Sequence, residues 1–243
     1  MTGRIRGVAV VVPVHDEEEL LPRCIASVRG AVARLDAASP ASAQLAVEVV
    51  LVLDACTDGS GRLADASGFT VLRTDHRAVG AARAAGVAVA LERLGIEDSS
   101  RMWTAHTDAD SAVPAHWLVS QLASADQGVD LVVGTVRPDP ADLTAAQWKA
   151  WRRTHRPGEA NGHVHGANLG IRADRYLAAG GFDPVPEHED NLLVRRLRDA
   201  GILEQATDDA WVLTSGRFIG RSPGGYARHL SETLVEQPGL ALG

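Results

Sequence analysis

Apolar and β-branched residues run almost unbroken through GVAVVVPV at 7–14, VEVVLVL at 47–53 and VDLVVGTV from 129, the pattern of strands covered on both faces in a parallel sheet. Two shorter runs, FTVLR at 69–73 and RMWTAHTD from 101, supply two further strands. Between them the spacing turns helical. Leu20, Leu21, Cys24, Ile25, Val28, Val32 and Leu35 recur on one face, and the acids at 16–19 are expected in that helix's first turn, complementing its dipole. A second helix is predicted over 78–94, carrying Val79, Ala82, Val87, Leu91 and Leu94 and stopped by Gly95. A third lies in VPAHWLVSQLASA, with Pro114 suited to its first turn. Alternating strands and helices with short connections predict a Rossmann-like, doubly wound, mostly parallel α/β sheet with right-handed crossovers.

Beyond Val136 the pattern loosens. RPDPADLTAAQWKAWRRTHRPGEANGHVHG is polar, rich in Trp, Arg and His, and interrupted by prolines at 138, 140 and 157, which suggests a lid or substrate-facing insertion. Trp148 and Trp151 suit either stacking on a sugar or lipid acceptor or packing of an amphipathic helix. Order returns with ANLGIRADRYLAAGGF and with a helix in HEDNLLVRRLRDAG, marked by Leu192, Leu193 and Leu197 and stopped by Gly201. The stretch from Asp208 begins as a strand and turns basic and glycine-rich. The chain therefore reads as one unit over 1–243, with halves 1–136 and 137–243.

Composition narrows the function. With 243 residues and 45% hydrophobic content the chain can bury a full core. Lys and Arg total 24 against 31 Asp and Glu, so a net charge of −7 offers no general attraction to nucleic acid or an anionic membrane, and any phosphate site must be local. The apolar run near the N-terminus, about eight residues, is too short for a signal or a membrane span, so a cytoplasmic protein without a transmembrane segment is expected. Cys24 and Cys56 form no C-x-x-C pair or metal spacing and read as packing residues in a reducing compartment. No G-x-x-x-x-G-K occurs and no G-x-G-x-x-G follows the first strand, which argues against a P-loop or dinucleotide enzyme.

The chemistry concentrates in WTAHTDADSAVP at 103–114. Ligands of open α/β sheets bind outside the carboxyl ends of the strands, where Asp108 and Asp110 fall. Two carboxylates so close repel, and an oxygen-preferring divalent cation removes that penalty while leaving positions for phosphates. The alternative is a helix-capping turn with Asp110 or Ser111 as N-cap.

Several ordered motifs together resemble the family 2 glycosyltransferases, nucleotide-sugar enzymes of the GT-A fold. VVVPVHDEEELLPRCIASV is similar to that family's opening strand, loop and helix, VLVLDACTDGS to its second strand and turn, AVGAARAAGVAVAL to its glycine and arginine helix, and TDAD at 107–110 to its D-x-D motif. GANLGIRADRYLAAGGFDPVPEHEDNLLVRRLRDAG resembles its acceptor-side segment, ending in an acid pair that opens a helix. The resemblance implies that Pro13, Val14, His15, Glu17 and Asp54 line the nucleotide pocket, that Arg83 lies near the donor, and that Asp110 with Asp108 holds Mg²⁺ or Mn²⁺ against the diphosphate. It points to the pair Glu189 and Asp190 for the base, with Asp190 favoured, because a helix N-terminus favours the charged carboxylate. The same acids could simply complement the helix dipole. Departures from the family pattern are His15 and Ala84, where Asn is common, and Leu53, in place of the first acid after strand two; base preference, uridine or guanosine, stays open.

Arg217 and Arg221, beside glycines, suit closure over a diphosphate, although a disordered tail has the same composition. His229 or His165 is a candidate third metal ligand, HVH at 163–165 alone making no metal centre, and His106 reads as a buried, satisfied side chain. The expected activity is metal-dependent transfer of a sugar from a nucleotide-diphosphate sugar to a hydroxyl acceptor, whether small molecule, glycan or lipid. Inversion is implied by the family likeness. The competing readings are a sugar-nucleotide binding module that has lost catalysis and a sugar-phosphate nucleotidyltransferase; the acidic PVHDEEE loop speaks against the latter.

Overall fold

A computed structural model describes residues 3–39, 45–217, Tyr226, Leu230 and Leu234. Among these residues seven strands form one sheet: β1 (Gly7–Val14), β2 (Ala46–Asp54), β3 (Thr70–Thr74), β4 (Met102–His106), β5 (Leu131–Pro138), β6 (Leu169–Arg172) and β7 (Glu204–Thr214), in the spatial order β3-β2-β1-β4-β6-β5-β7. β1 pairs in parallel with β2 and β4, and β2 with β3. β6 runs antiparallel between β4 and β5, and β7 lies parallel to β5. The sheet is mixed, mostly parallel, as the apolar runs predict.

Alternation along β1 explains why its valines are uninterrupted. Val8, Val10, Val12 and Val14 enter one core with α1 (Leu21–Ala38) and α4 (Trp117–Asp126), while Ala9 and Val11 enter a second with α3 (Val79–Leu94), α6 (Ala173–Ala178) and α7 (Glu189–Asp199). A strand with helices on both faces has no solvent side to mark with polar residues. On α3, Gly86 permits close contact with the sheet: a Cβ there would fall 2.6 Å from Val11 and 2.7 Å from Val52. Gly95 then ends the helix in the left-handed conformation, φ 60°.

Local expectations are corrected in two places and filled in at two more. The acids at 16–19 precede α1, which opens with Leu21 and Pro22 and has no acid in its first turn. Instead Asp16 accepts from Thr57 N–H at 2.6 Å and Glu18 from Gly59 N–H at 2.7 Å, tying the β1–α1 loop to the loop before α2 (Ser60–Asp65). Pro114 lies before α4, whose N-cap is His116, so neither Asp110 nor Ser111 caps a helix. The stretch at 169–172 is a central strand; its four residues carry too short a pattern to stand out. The 137–166 insertion contains a true helix, α5 (Ala145–Thr154), started by a capping box between Thr144 and Gln147. Trp151 of α5 is buried and packs with Leu230 and Leu234. Among the described residues no helix is long and apolar enough to cross a membrane.

Candidate functional site

A cavity of about 730 Å³ opens at the carboxyl ends of β1, β2 and β4. From the first two strands come Pro13, Val14, His15, Glu17 and Asp54, and Asp108 and Asp110 follow β4. Arg83 enters from α3, Glu189 and Asp190 from the start of α7, and Arg217 from the segment after β7. Eleven residues spread over two hundred positions thus face one volume. Arg221 and His229 lie outside the described residues.

Asp54 occupies the last position of β2, where successive side chains alternate: Leu53 turns into the core and Asp54 toward the cavity. That alternation places the residue missing from the acid pair on the apolar side. Burial works against the Asp54 charge, yet hydrogen bonds from His76 N–H at 2.6 Å, Thr74 Oγ1 at 3.0 Å and Ala78 N–H at 3.1 Å hold its carboxyl below the usual range. Asp54 is committed to shaping the loop before α3. His15 Nδ1 lies 2.7 Å from the Asp54 carbonyl oxygen, which fixes the imidazole at the cavity edge.

Arg83 is the centre of the site. It is buried, with 1% exposure, and donates from Nη2 to Asp108 at 2.5 Å and from Nε to Glu189 at 2.9 Å. Its Nη1 has no hydrogen-bond partner among the described residues. Burial pushes the Glu189 carboxyl up while Arg83 opposes that shift. Gly166 lies against this guanidinium, since a Cβ there would sit 2.5 Å from Nη2. The Gly166 N–H in turn donates to Asp190 Oδ2 at 2.7 Å, and Asn191 donates to Asp190 Oδ1 from its backbone at 2.7 Å and its side chain at 3.0 Å. The acid pair is therefore divided. Glu189 faces Arg83, and Asp190 is half-buried in the cavity wall.

Arg217 makes the second cationic contact. It donates to both oxygens of Glu17, at 2.5 and 3.0 Å, and lies 3.1 Å from Asp110 Oδ2. Asp110 also accepts from Ser111 Oγ at 3.1 Å and Thr214 Oγ1 at 3.3 Å. Even so, burial first and the Asp108 charge second push the Asp110 carboxyl up to about 6. The acids outweigh the arginines here, and the nearby donors are oxygens rather than thiols. Such a pair of oxygen donors suits a hard divalent cation. Among the described residues no three His, Cys, Asp or Glu side chains form a ready-made metal site.

Several supporting residues carry no sequence signal, because their partners are remote along the chain. Arg23 pairs with Asp139 at 2.5 Å and reaches the Asp110 carbonyl oxygen at 3.4 Å. Cys24 donates from Sγ to the Asp108 carbonyl oxygen at 3.3 Å, and Cys56 to that of Val14 at 3.2 Å, so both thiols brace site loops as well as filling space. His106 is buried as expected, but only Nε2 has a partner, Thr104 Oγ1 at 3.1 Å, and Nδ1 has none among the described residues.

The model of the Glycosyl transferase family 2 matches residues 9–176. No curated protein matches the sequence. Among solved structures, S. aureus TarS 1-349 in complex with UDP-GlcNAc is similar at 15% identity and a TM-score of 0.63, over 91% of this chain and 62% of that one. The mannosyltransferase PcManGT from Pyrobaculum calidifontis, in complex with GDP-Man and Mn²⁺, is similar at 20% identity and a TM-score of 0.56, over 88% and 58%. Glucosyl-3-phosphoglycerate synthase from Mycobacterium tuberculosis, in complex with Mn²⁺, UDP and phosphoglyceric acid, follows at 17% and 0.52, over 83% and 68%. At these identities the likeness is one of fold, and this chain spans about three fifths of the TarS and PcManGT chains.

Proposed function

The chain belongs to glycosyltransferase family 2, and from that premise we propose that it moves a sugar from a nucleotide-diphosphate sugar to a hydroxyl acceptor, with inversion, in the cavity around Arg83. The observation that carries this reading is the Arg83 bridge, which joins Asp108, on the donor side, to the acid pair that opens α7. Donor-side and acceptor-side acids are thereby held at a fixed separation by one buried cation.

The nucleotide lies along Pro13, Val14 and His15, in the pocket whose floor Asp54 shapes. Asp110 and Asp108 are the residues that would hold Mg²⁺ or Mn²⁺, which supplies Lewis-acid stabilisation of the departing diphosphate. Arg217 releases Glu17 and Asp110 and takes up diphosphate oxygens through paired N–H contacts. Asp190, fixed by Gly166 and Asn191, accepts the acceptor's proton as its oxygen attacks the anomeric carbon. The bond from that carbon to the diphosphate oxygen breaks on the opposite side, and its electron pair leaves with the nucleoside diphosphate. Glu189 positions Arg83 and does not act as the base, because its charge is paired with that buried guanidinium, whereas Asp190 makes no ion pair among the described residues.

The test is a thermal-shift series with UDP-, GDP- and dTDP-sugars, with and without Mn²⁺, in which ligand binding to the folded state raises its stability. Asp110→Ala is expected to abolish the manganese-dependent shift. Asp190→Asn is expected to keep that shift and lose turnover; near-normal turnover in this variant overturns the base assignment. Donor hydrolysis in the same samples separates an active transferase from an inert binder.

A further inference from the structure

A second, smaller cavity of about 210 Å³ adjoins the first, with Val136 in the wall of both. Its wall includes an aromatic column on α5 and the residue after it. The Trp148 and Trp151 rings stack at 5.0 Å and 8°, and Trp151 and His155 at 4.2 Å and 12°. Trp151, the middle ring, is buried with its faces against its two neighbours, so the column meets a ligand through the outer rings Trp148 and His155, whose apolar surface suits the C–H face of a pyranose while polar groups at the edge read its hydroxyls.

The charge of this cavity differs from that of the large one. Asp208, 8% exposed, is fully occupied: it accepts from Thr135 Oγ1, from Arg137 Nη2 at 2.5 Å and from Gly158 N–H at 2.7 Å. At the exposed rim, Arg152 and Arg156 make no ion pair with any described residue, and Glu159 is the one exposed carboxylate among the described lining residues. Among the described residues, two guanidiniums without an ion pair against one exposed acid give a local positive rim on a chain of net charge −7. Planar guanidinium forks match carboxylate and phosphate geometry.

The connection to the reaction cavity is covalent. The loop after α5 contributes Glu159 and Asn161 to the small cavity and then Gly162 and His165 to the large one, before Gly166 binds Asp190. A group seated against the aromatic column thus lies along the chain segment that leads to the base. Resting on the transferase reading above, we propose that this cavity is the acceptor subsite and that it takes an anionic sugar, its ring against the Trp148–His155 column and its carboxylate or phosphate on Arg152 and Arg156. The acceptor class is then a uronate or a sugar phosphate rather than a neutral glycan or an unmodified lipid alcohol.

The experiment titrates the full chain with glucuronic acid, glucose 6-phosphate and glucose, and separately with UDP-glucose and GDP-mannose plus Mn²⁺, for the parent protein and for the Arg152→Ala, Arg156→Ala double variant. Both arginines are exposed, and the double variant's thermal transition provides an independent check of folding. At least one anionic sugar is expected to bind about tenfold more tightly than glucose, with that advantage lost in the double variant. Preference for one anionic sugar over the other assigns the group as carboxylate or phosphate. Equal binding of glucose and both anions, or an anion preference that survives in the double variant, overturns the proposal. Failure of both nucleotide sugars to bind overturns the transferase reading and leaves the sugar titration to decide the subsite by itself.

Discussion

Asp110 shares its surroundings with Asp108, Glu17 and Arg217, and this balance makes stability depend on pH. Its carboxyl is raised from 3.8 to about 6 in the folded protein, so the folded state holds the proton more tightly than the unfolded chain. The stabilising contribution is full below about 4 and is lost as pH rises through about 6. Asp110→Asn mimics the protonated form, so the metal-free variant should be more stable than the parent at pH 7, by on the order of 2 kcal/mol, with the difference vanishing at pH 4. Urea unfolding at the two pH values checks this, and added Mn²⁺ should favour the parent. The D-x-D spacing, Arg83 and the Glu189–Asp190 pair were all legible as residues. Their division of labour was not, because sequence spacing says nothing of which acid an arginine 106 positions away will engage.

Helix α3 links packing to the site. Gly86 rests on β1 and β2, and Arg83 projects from the same helix three residues earlier. Gly86→Ala cannot fit without displacing the helix or the Val11 and Val52 side chains, and is expected to cost about 1–3 kcal/mol by overpacking. The shift should also disturb the Arg83 contacts with Asp108 and Glu189, so turnover should fall more than donor binding does. Denaturant midpoints and kinetics on the same variant test the two effects together. The glycine and arginine spacing of this helix was readable, and so was its end at Gly95. The acids at 16–19 misled for a physical reason: they neighbour a helix start, but three loop N–H groups, those of Thr57, Asp58 and Gly59, lie within hydrogen-bond reach of Asp16 and Glu18 and engage them instead.

Over the whole molecule, the two halves of the chain meet in one sheet, and Asn168 is a buried joint between them. Its Nδ2 donates to the carbonyl oxygens of Thr135 and Ala210, each at 2.9 Å, and its Oδ1 accepts from Trp117 Nε1 at 2.9 Å. β5, β7 and α4 are thus tied through one amide. Asn168→Ala removes three hydrogen bonds and leaves their partners buried, so a loss of about 3 kcal/mol or more is expected, read from the thermal transition. Amide exchange should rise first in β5 and β7, where the lost contacts lie. Gly134, whose Cβ would fall 2.4 Å from Asn168 Cγ, makes room for this amide.

The amino-acid order by itself determined the strand-and-helix alternation, the position of five strands and the acids at their carboxyl ends, because burial on both faces and helical spacing are local patterns. Only the tertiary structure decided the antiparallel insertion of β6, the Arg83 bridge, the Arg217 contacts and the small basic cavity beside α5. Those features join groups dozens to two hundred residues apart, and the apolar burial and charge pairing that fix them, the latter against the cost of desolvating the charges, exist only once the sheet has closed around them.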